Sequence, residues 1–414
     1  MPHWSDYSTG ERIKILRGRD LTQEQLAHAT GLSLPTIRAA EQDRRLSLPS
    51  LLRIASALNV DTSVVLGQQA PRRAMGTDDR ATLRALSLSV HDTSSGYLPD
   101  TVEPVPLDAL KAAMEHAWGL YWAGSYSELG AVLGPLLRDA AVTAEASEGT
   151  AAEEALGCLS DGYQAAACTA NLLGARDLAY ASVGHARAAA LQAGDPLRTA
   201  RVDAARSWIY LRDGRLDHSL AVAEKAALSI EPRYSDQTVE RLTTYGNLLN
   251  RCAVTAARIE DEDATGDFLS QLHAVGARLG REQDVHGARF GPQTATTQAV
   301  GIKVTLGDSG NALTLIRSVS NDDLLQLSEV SRNRYMLDVA LAQTDAKMYD
   351  KALDTLEEVI HGAPEWARHQ ALPAVIVQRI GSASTSRLRR VSKMIGVKAL
   401  PSDGFAPPTT KTAL

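Results

Sequence analysis

One stretch of the sequence, LTQEQLAHATGLSLPTIRAAEQDRR at residues 21–45, constrains the fold most. Thr22 stands three residues before Gln25, which is the capping-box spacing that begins a helix. Gly31 ends that helix because glycine adopts a positive φ without steric cost. Ser33 caps the next helix. Two helices joined by so short a glycine turn predict a helix-turn-helix, in which the second helix enters the major groove of DNA.

Further helices surround this motif, so that residues 9–67 predict five short helices. Thr9 is expected to cap the first helix, whose apolar positions are Ile13, Ile15 and Leu16. The fourth helix is expected over Pro49–Asn59. Its predicted core positions are Leu51, Leu52, Ile54, Ala55 and Leu58.

The pattern TQEQLA, TGLS, TI and E, followed by SLLRIASALNV, resembles the Cro/phage-repressor type of helix-turn-helix domain, the XRE family. The resemblance implies DNA binding by residues at and around the second helix of the motif. Phosphate contacts are implied for Thr22 and Gln23, and Ser33 begins the recognition helix. The groove-facing positions are Leu34, Pro35, Thr36, Arg38 and Ala39. The support and backbone-contact region that follows holds Glu41, Arg44 and Arg45.

The sequence departs from this family in three places. Leu34 and Pro35 stand where side-chain amides are common, which leaves few hydrogen bonds to base edges. Asp43 replaces the usual glycine after the recognition helix, and Ala40 is small where a larger core residue is frequent. Sequence readout is then expected from Arg38 and Thr36, from apolar contacts with thymine methyl groups and from DNA shape.

The charge distribution favours a DNA-binding head. The chain has a net charge of −6, but residues 1–73 hold ten Lys/Arg against seven Asp/Glu, a charge of +3, so the remaining 341 residues carry −9. A basic head on an acidic body is typical of a nucleic-acid reader attached to another unit. The alternative is a degenerate module kept for dimerisation. The retention of Arg38, Arg44 and Arg45, where phosphate contacts are needed, disfavours it.

The rest of the chain shows an internal repeat. From Leu107 onward the sequence is rich in alanine with almost no strand signal, and helix-turn-helix segments recur with turns near residues 124, 174, 213, 263, 307 and 347. Small residues and a closing proline stand at tetratricopeptide (TPR) positions, although the spacing exceeds the ~34 residues of a regular TPR. The segment resembles a TPR-like α-solenoid over roughly residues 107–378, and the alternative is a generic helical bundle.

Polar residues in the first helix of several pairs are candidates for ligand contact, because that helix normally lines the concave face of a solenoid. Asparagine amides pair with peptide backbones and arginines clamp carboxylates. Surface or interhelix hydrogen bonding is the alternative for each. The candidates are Arg206, Asn247, Asn250, Arg251, Gln298, Asn333 and Arg334.

These observations divide the chain into a head (1–70), a linker (71–106), a body (107–398) and a flexible tail (399–414). Within the linker, Asp78–Val90 predicts one helix with an apolar stripe that either mediates dimer contacts or simply orders the linker. The basic segment around Arg387, Arg389, Arg390 and Lys393 is expected to form a capping helix, as solenoids require, rather than to touch DNA.

No motif for catalysis, metal binding or a cofactor is recognised. The GDSG at 307–310 matches a protease nucleophile segment by chance, because it lies at a predicted helical turn without a matching histidine segment. P-loop, dinucleotide and HExxH patterns are missing. Three scattered cysteines and the lack of a signal peptide or a long apolar run predict a cytoplasmic protein that does not bind membranes.

The architecture resembles the RRNPP-type peptide-sensing regulators, which act in quorum sensing. That resemblance implies an all-α homodimer that binds a palindromic operator in double-stranded DNA and senses a peptide or small molecule in its TPR-like domain. The alternative is a TPR scaffold or adaptor that binds a partner protein.

Overall fold

The computed structural model describes residues 7–18, 21–44, 46–58, 60, 62–67, 77–98, 102–233, 235, 237–381 and 386–395. Over these residues the chain is almost entirely helical, with two short strands. The predicted all-α class is confirmed: a helix-turn-helix head is followed by a helical repeat-like region. None of the described helices is both long and apolar enough to span a bilayer.

The head contains the five predicted helices. They are α1 (Thr9–Arg17), α2 (Gln23–Thr30), α3 (Leu34–Glu41), α4 (Leu48–Ala57) and α5 (Thr62–Val65). The prediction for the first cap was wrong by one residue, since Ser8 rather than Thr9 accepts the Glu11 N–H and completes a capping box. Of the predicted apolar set, Ile13 is buried and Leu16 packs partly buried against the core, whereas Ile15 is exposed. Helix α4 begins before Pro49 because Ser47 caps it, and it ends at Ala57 rather than at Asn59.

The body begins with α6 (Thr77–Ser94) and continues as six helix pairs. The pairs are α7 (Leu107–Ala123) with α8 (Tyr126–Ala146), α9 (Gly149–Leu172) with α10 (Arg176–Gln192), α11 (Pro196–Arg212) with α12 (Leu216–Ser229), α13 (Val239–Ile259) with α14 (Glu262–Leu279), α15 (Pro292–Thr305) with α16 (Ser309–Ser318), and α18 (Glu329–Asp345) with α19 (Tyr349–Gly362). Short helices α17 (Asn321–Leu325), α20 (Pro364–Ala367), α21 (Leu372–Ile380) and α22 (Ser386–Met394) complete the described chain.

Each pair turns through a residue in the left-handed conformation. Four of these residues are glycines, which adopt it without a Cβ penalty. The other two are Glu260 and Lys347, with φ of 69° and 63°. Five of the six turns lie where the sequence predicted them, and the fourth lies at Glu260 rather than near residue 263. The glycines are Gly124, Gly174, Gly214 and Gly307.

The first helices of the pairs form a closed ring. Helices α7, α9, α11, α13, α15 and α18 each pack on the next, and α18 packs in turn on α7. At the closure, Gly124 lies against Trp366, and the backbone N–H of Ser127 donates to Glu365 at 2.7 Å. These six helices form the inner layer of the ring. We call the side of each that faces the middle of the ring the inner face.

A β-hairpin crosses part of the ring, contrary to the expected absence of strands in the body. Its strands are β1 (Gln283–Val285) and β2 (Ala288–Phe290), paired antiparallel. His286 and Gly287 both have positive φ, 46° and 77°, as a two-residue hairpin turn requires. Phe290 packs on Gly246 of α13, while Gly287 at the tip lies against Trp118 of α7. The hairpin therefore joins two helices that lie far apart in the ring.

The predicted linker helix belongs to the body. Helix α6 buries Leu86 and Val90 and packs on α8, where Gly130 and Gly134 leave room for Thr82 and Ser89. Close approach at these two glycines fixes α6 to the first helix pair. Residues 71–76 and 99–101 of the predicted linker and the tail 399–414 lie outside the described residues.

The basic C-terminal helix packs on the last pair. Arg387 of α22 pairs with Asp354 at 2.5 Å and with Glu357 at 2.8 Å, and Arg390 pairs with Glu357 at 2.6 Å. These ion pairs and the buried Leu388 tie α22 to α19, as a capping helix requires. Arg389 and Lys393 are exposed.

Replacement of Gly246 by alanine should loosen the hairpin, because a Cβ at this position would overlap the Phe290 ring. We expect Gly246→Ala to lower the free energy of unfolding by about 1–3 kcal/mol, measured by urea denaturation. The matched control is Gly266→Ala in α14, where an added Cβ meets nothing within 4 Å. The control should be neutral or should gain up to about 1 kcal/mol. Equal effects of the two substitutions would contradict the packing described.

Candidate nucleic-acid interface and inner face

Helices α2 and α3 take the geometry that the sequence predicted. Thr22 and Gln25 form a reciprocal capping box, and Gly31 has φ of 65° at the end of α2. Ser33 accepts the Thr36 N–H at 3.3 Å, and its hydroxyl lies 2.8 Å from that of Thr36. These contacts fix the first turn of α3.

The small residues at the α1–α3 contact explain one departure from the family. Gly10 of α1 is buried, and a Cβ at this position would lie 2.6 Å from the Glu41 carbonyl oxygen and 2.9 Å from that of Ala40. The backbones of α1 and α3 therefore approach closely, and Ala40 is buried within the head. A larger residue at position 40 would crowd this contact.

Asp43 explains a second departure. It has φ of 57°, the left-handed conformation that favours the glycine usual in the family. Its carboxylate accepts the Ser8 hydroxyl at 2.5 Å and the Gly10 N–H at 2.6 Å. An acidic group at the N-terminus of α1 satisfies a free N–H donor and interacts favourably with the helix dipole. The side chain thus supplies a cap that glycine lacks.

A buried carboxylate connects helices α1, α2 and α3 of the head. Glu41 accepts the Arg17 Nε–H at 2.6 Å and the Gln23 amide at 2.6 Å. Arg17 of α1, Gln23 of α2 and Glu41 of α3 are thereby held in one charge-assisted network. The amide of Gln23, predicted to contact phosphate, is engaged within the head.

Arg12 forms a second internal link. Its guanidinium is fully buried and donates to the Val65 carbonyl at 3.0 Å and to the Tyr7 carbonyl. Burial lowers the pKa of Arg12 to about 10, partly offset by Asp43 and Glu11, so the group stays protonated at neutral pH. These hydrogen bonds tie α1 to α5.

The predicted DNA-contacting residues that the structure describes lie at or near the surface. Pro35 and Arg38 are exposed on α3, and Leu34, Thr36 and Ala39 beside them are half-buried. Thr22, Ser33 and Arg44 are exposed, Gln23 is half-buried, and Arg45 lies outside the described residues. Pro35 and Arg38 mark an outer side of α3 that the described part of the body leaves exposed.

The opposite side of the head contacts the body. Arg53 of α4 pairs with Glu260 at the end of α13, at 3.4 Å. Ser56 of α4 lies against Gly214, the turn between α11 and α12, where a Cβ would meet Ser56 Cβ at 2.6 Å. Thr9 accepts a hydrogen bond from Gln378 of α21. The head is thus seated on the ends of two inner helices.

All seven predicted ligand residues lie on inner helices. Asn247, however, donates to the Arg289 carbonyl of the hairpin at 3.2 Å, so its partner is a peptide backbone of the chain itself. Arg206 pairs with Asp203 at 3.3 Å, and Arg334 pairs with Asp338 at 3.3 Å. Gln298 and Asn333 are half-buried, without a side-chain hydrogen bond to other described residues.

The structure brings Arg251 and Arg334 together with two arginines that the sequence reasoning missed. Arg212 and Arg251 lie over the same Trp208 ring, 5.7 and 5.9 Å from its centre. Besides burial, the charges of Arg334, Arg212 and Arg251 each lower the pKa of Arg258, and that of Asp338 raises it, so these side chains lie within electrostatic range of Arg258. Helical spacing gave a usable signal, since Arg212 follows Trp208 by four residues and Arg258 follows Arg251 by seven. We call these four residues the arginine cluster.

Asp43 provides a test of how the head is built. Asp43→Ala removes the cap and leaves alanine at positive φ, so we expect a loss of about 2 kcal/mol in the free energy of unfolding. Asp43→Gly removes only the cap and should cost about 1 kcal/mol. Thermal unfolding of the two variants measures the difference. If Asp43→Gly lost as much stability as Asp43→Ala, the positive φ at position 43 would not be what limits the choice of residue there.

The comparisons with known proteins address the head alone. A helix-turn-helix family model matches residues 13–65. No curated protein and no solved structure matches the chain. The match covers α2 and α3 with their capping residues and the Glu41 network, and supports the XRE-type assignment of the head. Residues 13–65 are therefore a helix-turn-helix domain, which supports a DNA-binding transcription regulator.

Proposed function

We propose that the chain is a ligand-responsive transcription regulator that binds a two-fold symmetric operator as a homodimer and senses an effector in its helical ring. The observation that carries the proposal is the exposed outer side of α3, with Arg38 and Pro35 presented by a head whose opposite side is seated on the body. A rigid recognition helix whose first turn and core are fixed can enter a major groove without rearrangement.

In this proposal some residues contact the DNA phosphates and position the head, and others contact the base edges and read the sequence. Thr22, Ser33 and Arg44 are exposed where phosphate contacts fix the orientation of the head. Arg38 reads base edges, and Leu34 and Pro35 supply apolar contact with thymine methyl groups. With so few hydrogen-bonding groups, a large share of specificity comes from DNA shape.

The body acts as the sensor in this proposal. Its paired helices with left-handed turns support the TPR-like assignment and the RRNPP-type architecture, in which a peptide or small molecule binds the inner face. Asn250 contributes a buried amide oxygen without a hydrogen-bond partner there, and Arg251 a buried Nε. Buried polar groups of this kind are the expected contacts for a ligand.

A short path links the inner face to the head. Arg212 ends α11 two residues before Gly214, which contacts Ser56 of α4. Arg258 lies two residues before Glu260, which pairs with Arg53 of α4. A ligand that shifts the ends of α11 and α13 therefore moves the seat of the head. In a dimer, that movement changes the spacing of the two recognition helices.

Arg38→Ala tests the DNA-binding role. We expect this variant to lose about 1–3 kcal/mol of operator affinity, ten-fold or more, and to tolerate changes at the base that Arg38 reads. Arg44→Ala should weaken binding to all sequences alike and reduce the salt dependence. Both are measured by gel shift at fixed salt on an operator selected from random DNA. The control is Arg317→Ala, an exposed residue of α16. Full binding by Arg38→Ala, or failure to select any operator, would refute the proposal and leave the adaptor alternative.

Ser56→Tyr tests the seating of the head. A tyrosine at this half-buried position overlaps the Gly214 turn, so we expect the head to leave the body. Small-angle scattering should then show a larger radius of gyration for a chain that remains folded. Ser87→Tyr, at an exposed position of α6, is the control and should leave the radius unchanged. An unchanged radius in Ser56→Tyr would argue against the described contact.

A further inference from the structure

Two members of the arginine cluster, Arg251 and Arg258, differ in their ion pairing from Arg198 and Arg201 of α11. Arg198 pairs with Asp161 at 2.9 Å and with Asp195 at 2.7 Å, and the buried Arg201 pairs with Glu240 at 2.8 Å. By contrast, within the described part of the chain, neither Arg251 nor Arg258 forms an ion pair or donates a side-chain hydrogen bond. Arg198 and Arg201 are thus paired with carboxylates, whereas Arg251 and Arg258 are not.

Burial and mutual repulsion make the cluster costly to leave unoccupied. Burial, followed by the like charges of Arg334 and Arg212, lowers the pKa of Arg258 to about 10, and Asp338 offsets only part of this. Burial also lowers the pKa of Arg251. Its Nε is shielded from solvent without an acceptor. Arg251 and Arg258 are both half-buried, and a bound anion would supply the counter-charge that Asp338 provides only in part.

The hairpin limits the shape of what can bind. The Asn247 amide and the Trp122 indole N–H already donate to the hairpin carbonyls of Arg289 and Gly287, at 3.2 and 3.1 Å. Backbone-binding side chains on this part of the inner face are therefore occupied by an extended segment of the chain itself. The cluster lies next to it on α13, since Arg251 follows Asn247 by one helical turn. The hairpin therefore disfavours an extended peptide on this part of the inner face, because it already occupies the side chains that would bind a peptide backbone.

We propose that the arginine cluster binds a small oxyanion with two or more negative charges, held mainly by Arg251 and Arg258 and assisted by Arg212 and Arg334. The planar guanidinium matches the geometry of phosphoryl and carboxylate oxygens, which accept two parallel hydrogen bonds from it. Three helices, α11, α13 and α18, supply the four groups, so a bound anion draws together parts of the ring that are distant in sequence. The proposal depends on the proposed function only in naming this anion as the effector.

The test is calorimetric titration of the full chain with sodium pyrophosphate and with trisodium citrate. Sodium chloride at matched ionic strength is the comparison. Saturable binding of pyrophosphate alone identifies a phosphoryl ligand, and binding of citrate alone identifies a polycarboxylate. We expect Arg251→Gln and Arg258→Gln each to weaken that binding at least ten-fold and Arg251→Lys to weaken it less. Arg317→Gln on the outer helix α16 should bind as the unaltered chain does.

Thermal unfolding separates a binding role from a structural one. Without added anion, Arg258→Gln should raise the Tm because it removes repulsion, and it should no longer gain Tm with the anion. A structural arginine would give a lower Tm and an unchanged anion response. Binding equal to that of chloride, or undiminished in both glutamine variants, would overturn the proposal. Operator gel shifts with the unaltered chain report separately on DNA binding, so failure of the anion site and failure of the regulator function are distinguishable.

Discussion

The contact of α18 with α7 is the constraint on which the inner face depends. Helix pairs joined only to their sequence neighbours would form an open superhelix. Here the last pair returns to the first, where Trp366 packs on Gly124 and Glu365 accepts the Ser127 N–H. Closure sets α18 in the same ring as α11 and α13 and gives the hairpin tip a partner on α7. The arginine cluster is therefore a consequence of long-range packing, although each arginine is placed by its own helix.

The head depends on interactions of short range. Asp43 shows how one residue meets two local demands, since it holds a left-handed backbone and caps α1 through Ser8 and Gly10. Glu41 joins the three helices around the turn. Neither interaction involves the body. The head can therefore keep its recognition geometry whether it is seated on the ring or released from it.

This difference in range decides what the sequence could predict. The capping box at Thr22, the glycine turn at Gly31 and five of the six pair turns follow from local propensities, and the sequence located them. The hairpin was missed because its strands have three residues each and depend on α13 and α7 rather than on an alternating pattern. The sequence predicted that Asn247 would pair with a peptide backbone, and it does, but the backbone is that of the chain's own hairpin. Arg212 and Arg258 carried only a helical spacing, and their meeting with Arg334 requires the closed ring.

The charge asymmetry takes on a different meaning once the ring is known. A body with a charge of −9 holds two inner arginines, Arg251 and Arg258, that form no ion pair with its described acidic residues. An acidic exterior repels DNA and leaves it to the basic head, whereas the interior attracts an anion. The DNA-binding head and the inner face come together where the ends of α11 and α13 contact α4. An anion that neutralises Arg258 removes its repulsion from Arg212 and Arg334. Arg258 lies two residues before Glu260, which pairs with Arg53 of the head. If the anion changes the affinity of the head for DNA by some factor, reciprocal linkage requires DNA binding to change the affinity for the anion by the same factor.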